Sequence, residues 1–132
     1  MQPQASLDAV TGLGIRGDVA YGKSRRQVLL MDEETLSTLA LAPGTVRENI
    51  VTQNLSFDGL VPGDRLRVGD VLLEITGPCT PCDFIDTIRP GLRREIDGRR
   101  GLLARVALGG TISIGSPVQL ESNRSPQRAT DA

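Results

Sequence analysis

The chain contains no histidine and no tryptophan, and its only aromatic residues are one tyrosine and two phenylalanines. Without histidine there is no imidazole to serve as general base or metal ligand, so a histidine-dependent triad and a histidine metal site are both excluded. Few aromatics and a formal charge of −1 give no stacking platform and no electrostatic footprint for nucleic acid. No apolar run reaches the roughly 18 residues that a membrane helix needs. The opening "MQPQASLDAV" also lacks the charged and apolar regions of a signal peptide. These absences point to a cytoplasmic protein with no membrane partner. Lysine is almost missing too: Lys23 is the only one, so the positive charge is nearly all arginine, whose planar fork suits phosphate and carboxylate.

Short runs of β-branched and leucine residues between Gly, Pro, Asp and Asn punctuation dominate what is present. "RQVLLM" (26–31), "RENIVT" (47–52), "DRLRV" (64–68), "VLLEIT" (71–76), "LLARVAL" (102–108), "TISI" (111–114) and "PVQL" (117–120) read as strands. An internal echo relates 63–72 to 109–118, each a strand, a glycine-containing turn and a second strand, as in a hairpin. Many short strands and few helices predict a mainly β, barrel-like fold, because closure removes exposed edges. Two helical pieces interrupt it. In "MDEETLSTLALAPG", Asp32 caps, Glu33 and Glu34 suit the first turn, Leu36, Leu39 and Ala40 form an apolar stripe, and Pro43-Gly44 ends the segment. In the second, Pro81 suits the first helical position, Phe84, Ile85 and Ile88 share one side, and Pro90-Gly91 stops it. Residues 11–120 form the domain, residues 1–10 are weakly patterned, and "ESNRSPQRATDA" (121–132) reads as a disordered tail.

Both cysteines lie in "GPCTPC", Cys79 and Cys82. Structural zinc needs four nitrogen or sulfur ligands, and one chain here offers two. A thioredoxin-like redox pair also has proline before its second cysteine, but it sits in a strand–helix–strand unit that this strand-rich chain does not suggest. The third reading is a single activated thiolate. Cys82 falls in the first turn of the second helix, where exposed amides lower a thiol pKa, while Asp83 and Asp86 oppose that. Two small apolar residues in a turn remain the non-functional alternative. A second feature, "GLGIRGDVAYGKSRR" (12–26), combines four glycines with Arg16, Lys23, Arg25 and Arg26, the composition either of a solvated turn or of a loop that brings backbone amides and forked arginines to an anion.

Taken in order, "GLGIRGD" (12–18), "RRQVLL" (25–30), "RENIVT" (47–52), "LVPGDRLRVGDVLLEITGPCTPC" (60–82) and "RRGLLARVALGGTISIGSPV" (99–118) resemble the MOSC domain, the family named for the C-terminal region of molybdenum cofactor sulfurase. The resemblance is to its small stand-alone members and covers roughly residues 10 to 120. It implies a barrel-like fold and a working role for the cysteine of "PC", here Cys82. That thiol would either coordinate molybdenum in a pterin cofactor or carry sulfur as a persulfide; molybdenum and sulfane sulfur are both soft partners for a thiolate. Cys79 would assist it. Arg26 and Asn49 match recurrent polar positions that would hold the pterin or its phosphate, with Lys23, Arg25, Arg47 and Arg99 as neighbouring cations. The resemblance also brings pyridoxal phosphate among the phosphate-bearing cofactors to be considered.

Two departures stand out. Relatives often continue "GD" with a basic residue, where this chain has Val19-Ala20, and they usually carry an extra strand before the "GLGIRGD" block. Either the first ten residues replace that strand, a partner chain supplies it, or the barrel is open; an unpaired edge would favour a homodimer. The implied functions are a molybdenum-cofactor module that reduces small substrates with a separate reductase, a sulfur carrier served by a donor protein, or a scaffold barrel without chemistry.

Overall fold

The computed structural model describes residues 6–23, 26–79, 83–99 and 101–121. Along the chain come β1 (Ser6–Val10), β2 (Gly14–Ile15), β3 (Val28–Asp32), α1 (Glu33–Thr38), β4 (Ile50–Thr52), β5 (Arg65–Val68), β6 (Val71–Pro78), α2 (Asp83–Ile88), α3 (Leu92–Ile96), β7 (Leu102–Leu108), β8 (Gly110–Ser113) and β9 (Val118–Glu121). They form a six-stranded sheet in the order β4-β3-β7-β6-β5-β9 and a three-stranded sheet β2-β1-β8. The fold is mainly β and barrel-like, and each of the seven runs expected from the sequence contains a strand.

Alternation explains why these runs stay in sheets. Leu66 and Val68 in β5, Leu73 and Ile75 in β6, and Leu102, Ala104 and Val106 in β7 all turn to one core, joined by Val28 and Leu30 of β3 and Ile112 of β8. Residues between them turn outward, and on β5 to β7 these include Arg65, Arg67, Glu74 and Arg105. A second apolar cluster lies beneath the helices. Met31 of β3 meets Leu36 and Leu39 of the α1 segment, Ile85 of α2, and Leu92 and Ile96 of α3. Strand β3 therefore buries both faces, Leu30 toward the barrel and Met31 toward the helices.

The two sheets are joined by a buried glutamine. Gln27 is 2% exposed. Its Nε2 donates to the Gly12 carbonyl at 3.0 Å and its Oε1 accepts from the Val106 amide at 3.0 Å. The Gly12 amide in turn donates to the Val106 carbonyl at 2.8 Å. A side chain thus takes the place of a missing stretch of ladder between β7 and the turn after β1, satisfying backbone groups that burial would otherwise leave unpaired.

Several expectations need correction. Residues 6–10, weakly patterned in sequence, form β1, which pairs with β2 and, over Ser6 to Ala9, with β8, so this stretch supplies a strand ahead of the "GLGIRGD" block. The two echoed segments also differ. Residues 63–72 make a hairpin, with Val68 opposite Val71. Residues 109–118 do not, because β8 pairs with β1 while β9 crosses to the free edge of β5. Glu121 belongs to β9 rather than to a tail; the rest of the expected tail, 122–132, lies outside the described residues. Its carboxylate takes both arms of Arg67, at 2.5 and 3.1 Å, which holds Glu121 below the ordinary glutamate range and Arg67 above its own.

The helices show the same mixture. Asp32 caps α1 as expected, its carboxylate accepting from the Thr35 amide at 3.2 Å and the Thr35 hydroxyl at 2.8 Å. Ala40, however, is exposed and is not part of the apolar stripe. The helix closes before Pro43: Ala40 adopts φ 57°, its amide donates to Ser37, and the Leu41 amide donates to Leu36. That left-handed closure is usually given to glycine. Leu41 then packs against the helix-side core. Pro90-Gly91 ends α2 as expected, and α3, which follows at once, has no side-chain cap to announce it.

Candidate functional site

The "GLGIRGD" block leads into a turn whose polar groups are used internally. Asp18 accepts from the Ala20 amide at 3.0 Å through Oδ2, the pattern by which aspartate shapes a turn two residues ahead. The amides of Asp18, Tyr21, Gly22 and Lys23 donate to the carbonyls of Ile15, Asp18, Leu13 and Ala20. Of the two alternatives for this loop, these five amides therefore form the solvated turn and not an anion cradle. The closed turn instead displays Val19, 93% exposed, between exposed Arg16 and Lys23.

Asn49 ties that turn to the sheet. Its Nδ2 donates to Asp18 Oδ1 at 3.0 Å and its Oδ1 accepts from the Leu29 amide at 2.8 Å, while its own amide donates to the Leu29 carbonyl at 2.9 Å. The carboxamide expected to hold a pterin is engaged by protein on both its oxygen and its nitrogen. Its role in this structure is to lock the "GD" and "RENI" blocks together across 31 residues.

The two residues before Asn49 point elsewhere. Glu48 is 3% exposed; Oε2 accepts from the Gly44 amide, and Oε1 is buried with no hydrogen-bond partner among the described residues. Arg47 adopts φ 65°, and its guanidinium carbon lies 3.9 Å from the centre of the Phe84 ring. Phe84 is in α2, two residues along the chain from Cys82, so the "RENI" block meets the segment after the cysteines. An exposed cation–π pair contributes about 0.5–1 kcal/mol. A non-glycine residue in the left-handed region costs roughly 1–2 kcal/mol, so the stack alone does not offset its backbone. Among the described residues Arg47 has no ion pair.

Cys79 is 7% exposed at the end of β6, and its amide donates to the Gly101 carbonyl at 2.9 Å. Gly101, with φ 110°, lies so close to β3 that an added Cβ would collide with the Leu30 carbonyl and come within 2.7 Å of Met31 Sδ. Cys79 is thus held where β6, β7 and β3 converge, shielded from solvent. Cys82 and Arg25 lie outside the described residues. Lys23 and Arg26 are exposed and, like Arg47, form no ion pair among the described residues. Arg99 is exposed, but its Nη2 donates to the Glu95 carbonyl at 3.0 Å and its amide to Ile96, so its described bonds stay with α3.

Sequence reasoning missed Gln27 and Glu48. The available signals were a glutamine beginning an apolar strand run and an acid just ahead of another. Lys23, Arg26 and Arg47 fit a phosphate-bearing cofactor, being exposed cations without carboxylate partners among the described residues; Asn49 fits less fully, its side-chain oxygen and one of its two N–H groups already being bonded. No group of three or more His, Cys, Asp or Glu among the described residues is arranged to hold a metal ion by itself. No helix among them is long and apolar enough to cross a membrane.

Comparison with known proteins agrees with this architecture. No curated protein sequence matches the chain. Among solved structures, YiiM from Escherichia coli superposes with a TM-score of 0.76 at 24% identity, over 95% of this chain and 66% of that one. A hypothetical protein gives a TM-score of 0.78 at 23% identity, over 95% and 65%. The YuaD protein from Bacillus subtilis gives 0.77 at 19% identity, over 92% and 87%. The chain thus spans just under two thirds of the first two, and these likenesses establish a shared fold. The family description "MOSC domain" matches residues 17–119, which include the Asp18–Asn49 lock, the Arg47–Phe84 stack and the segment bearing both cysteines. By that match over most of its length, the chain belongs to the MOSC domain family.

Proposed function

We propose that the chain is a molybdenum-cofactor module of the MOSC family, working through Cys82 in partner-dependent reduction of small substrates. The observation that supports it most directly is the meeting of Arg47 with Phe84. A guanidinium with no ion pair among the described residues is held against the helix that follows the "PC" cysteine, which associates a cation with that thiol's segment. Lys23, Arg26 and Arg47 would hold the cofactor phosphate, and Cys82 would ligate the metal as a soft thiolate. When bound, the cofactor supplies molybdenum redox chemistry. The chain's own residues bind and orient: Asn49 and Asp18 fix the turn that leads to Lys23, and Cys79 stays buried beside the thiol segment. Electrons would come from a separate reductase.

The engagement of Asn49 by protein favours a second reading, a persulfide carrier, since it leaves the carboxamide only one N–H to offer a pterin. There the Cys82 thiolate attacks the outer sulfur of a donor persulfide. The donor S–S bond breaks, the donor leaves as a thiolate, and Cys82 ends as a persulfide. One fresh preparation separates the two. Molybdenum and pterin that co-purify with wild type and are lost in Cys82→Ser support the first reading. A gain of one sulfur atom on Cys82 after incubation with a desulfurase and cysteine supports the second. If neither occurs, both are wrong and the domain is a scaffold.

A further inference from the structure

Strand β9 ends the six-stranded sheet, and its backbone is bonded along one side only. The Gly69 amide donates to the Pro117 carbonyl at 3.0 Å, which makes Gly69 and Pro117 a hydrogen-bonded pair of the antiparallel ladder. Alternation along that ladder assigns the next such pairs to Arg67 with Gln119 and Arg65 with Glu121. The N–H and C=O groups of Val118 and Leu120 therefore point away from β5, and they form no hydrogen bond among the described residues. Their side chains face the barrel, since each lies opposite a buried residue, Val68 and Leu66 respectively. Val118 packs against that core, yet Leu120 stays 47% exposed. An apolar side chain on the inner face, beside unbonded backbone, marks the place where the sheet is left open.

This edge also lacks protection against pairing. Edge strands are normally blunted by lysine, proline or a bulge. The strand "VQLE" has no lysine, and its register against β5 is unbroken. Pro117 lacks its N–H on the side facing β5, so it does not block the open side. The one charge, on Glu121, is taken by Arg67. Residues 122–132, "SNRSPQRATDA", hold no apolar side chain larger than alanine with which to cover Leu120.

We propose that the open edge is the pairing surface for a second copy of this chain, with β9 antiparallel to its own counterpart about a two-fold axis. Free groups two residues apart suit that symmetry. Val118 of one copy exchanges both backbone bonds with Leu120 of the other, and the reverse pair follows from the axis. Each pair sets valine beside leucine on the inner face, which covers Leu120. Gln119 meets Gln119 at the axis and Glu121 lies opposite Pro117, so no like charges are opposed. A strand of 4 residues makes a small contact of the weak, transient class, so dimer should form at about 0.1–1 mM protein. Pairing at β9 is independent of the chemistry proposed at Cys82.

Sedimentation equilibrium of the wild-type protein from about 10 µM to about 1 mM should show the mass rising from monomer toward dimer, with amide exchange at Val118 and Leu120 slowing in step. Gln119→Lys places two ammonium groups face to face at the axis, and in low salt it should weaken association about fivefold. Gln119→Glu should do the same. Mixed in equal amounts, the two variants should associate more tightly than either does alone. Gln119 is exposed, so neither change touches the monomer core. The proposal is overturned if wild type stays monomeric over this range, or if the mixture shows no preference for the mixed dimer. It is equally overturned if Val118 and Leu120 are protected alike at every concentration, since a segment of the same chain would then cover the edge. Should a variant fail to fold, the mass and exchange of the wild-type protein decide.

Discussion

Replacing Asn49 by alanine tests whether this residue is a ligand-holding group or a brace. The substitution removes the only side-chain acceptor bonded to the Leu29 amide, and Leu29 is buried, so that N–H is left without a partner. An orphaned buried amide costs about 1–3 kcal/mol. It also removes the 3.0 Å bond to the Asp18 carboxylate. Asp18 is only half-buried and keeps the Ala20 amide, so water can replace most of that bond and the further loss is about 0.5–1 kcal/mol. The total is about 1.5–4 kcal/mol, which for a domain of this size lowers Tm by roughly 4–16 °C. Urea unfolding gives the magnitude, and hydrogen exchange should show early loss of protection at Leu29 and Ala20. Asp18→Ala alone should cost less, and a double-mutant cycle should return a coupling of about 0.5–1 kcal/mol. A stability for Asn49→Ala within about 0.5 kcal/mol of wild type would refute the brace and return the amide to ligand binding.

Other consequences follow from single contacts. Gln27→Leu keeps the volume but leaves the buried Val106 amide unpaired while the exposed Gly12 carbonyl can turn to water, so calorimetry should show a loss of about 1–3 kcal/mol, with Gln27→Glu also destabilised by its buried charge. Ala40→Gly should stabilise the protein by about 1 kcal/mol in urea unfolding, because it relieves a left-handed residue at the end of α1. Glu121 has a lowered folded-state pKa, chiefly through its hydrogen bond from Arg67. Its contribution is therefore fully present above the ordinary value of 4.5 and disappears as pH falls through the lowered one. In Tm measured against pH, Glu121→Gln should remove that part of the acid limb, and the whole effect should shrink in high salt.

How much was readable from sequence varied with the kind of signal. The strands around Leu66, Leu73 and Val106 were legible because burying one sheet face forces a period of two, β3 because burial of both its faces makes a continuous apolar run, and Asp32 because a cap acts within one turn. Strand β1 was not. "SLDAV" has little alternation, and its ladder comes from β8, about a hundred residues later. The same limit hid the β8–β9 crossing: a strand, a turn and a strand look alike whether they pair with each other or with different neighbours. At the site, the "RENI" block stood out as polar residues ahead of a strand, but the roles of its members could be separated only by where each side chain goes.

What sequence alone decided was the mainly β class, the cap of α1, the break at Pro90-Gly91 and the exclusion of histidine chemistry, since each rests on residue identity or on spacing along the chain. Tertiary structure decided which groups meet: Gln27 with Gly12 and Val106, Asn49 with Asp18, Arg47 with Phe84, and Cys79 with Gly101. Those meetings depend on long-range ladder register and on how closely strands approach. Neither is written in any local stretch of the chain, because the energy that sets them comes from burying surfaces contributed by distant segments.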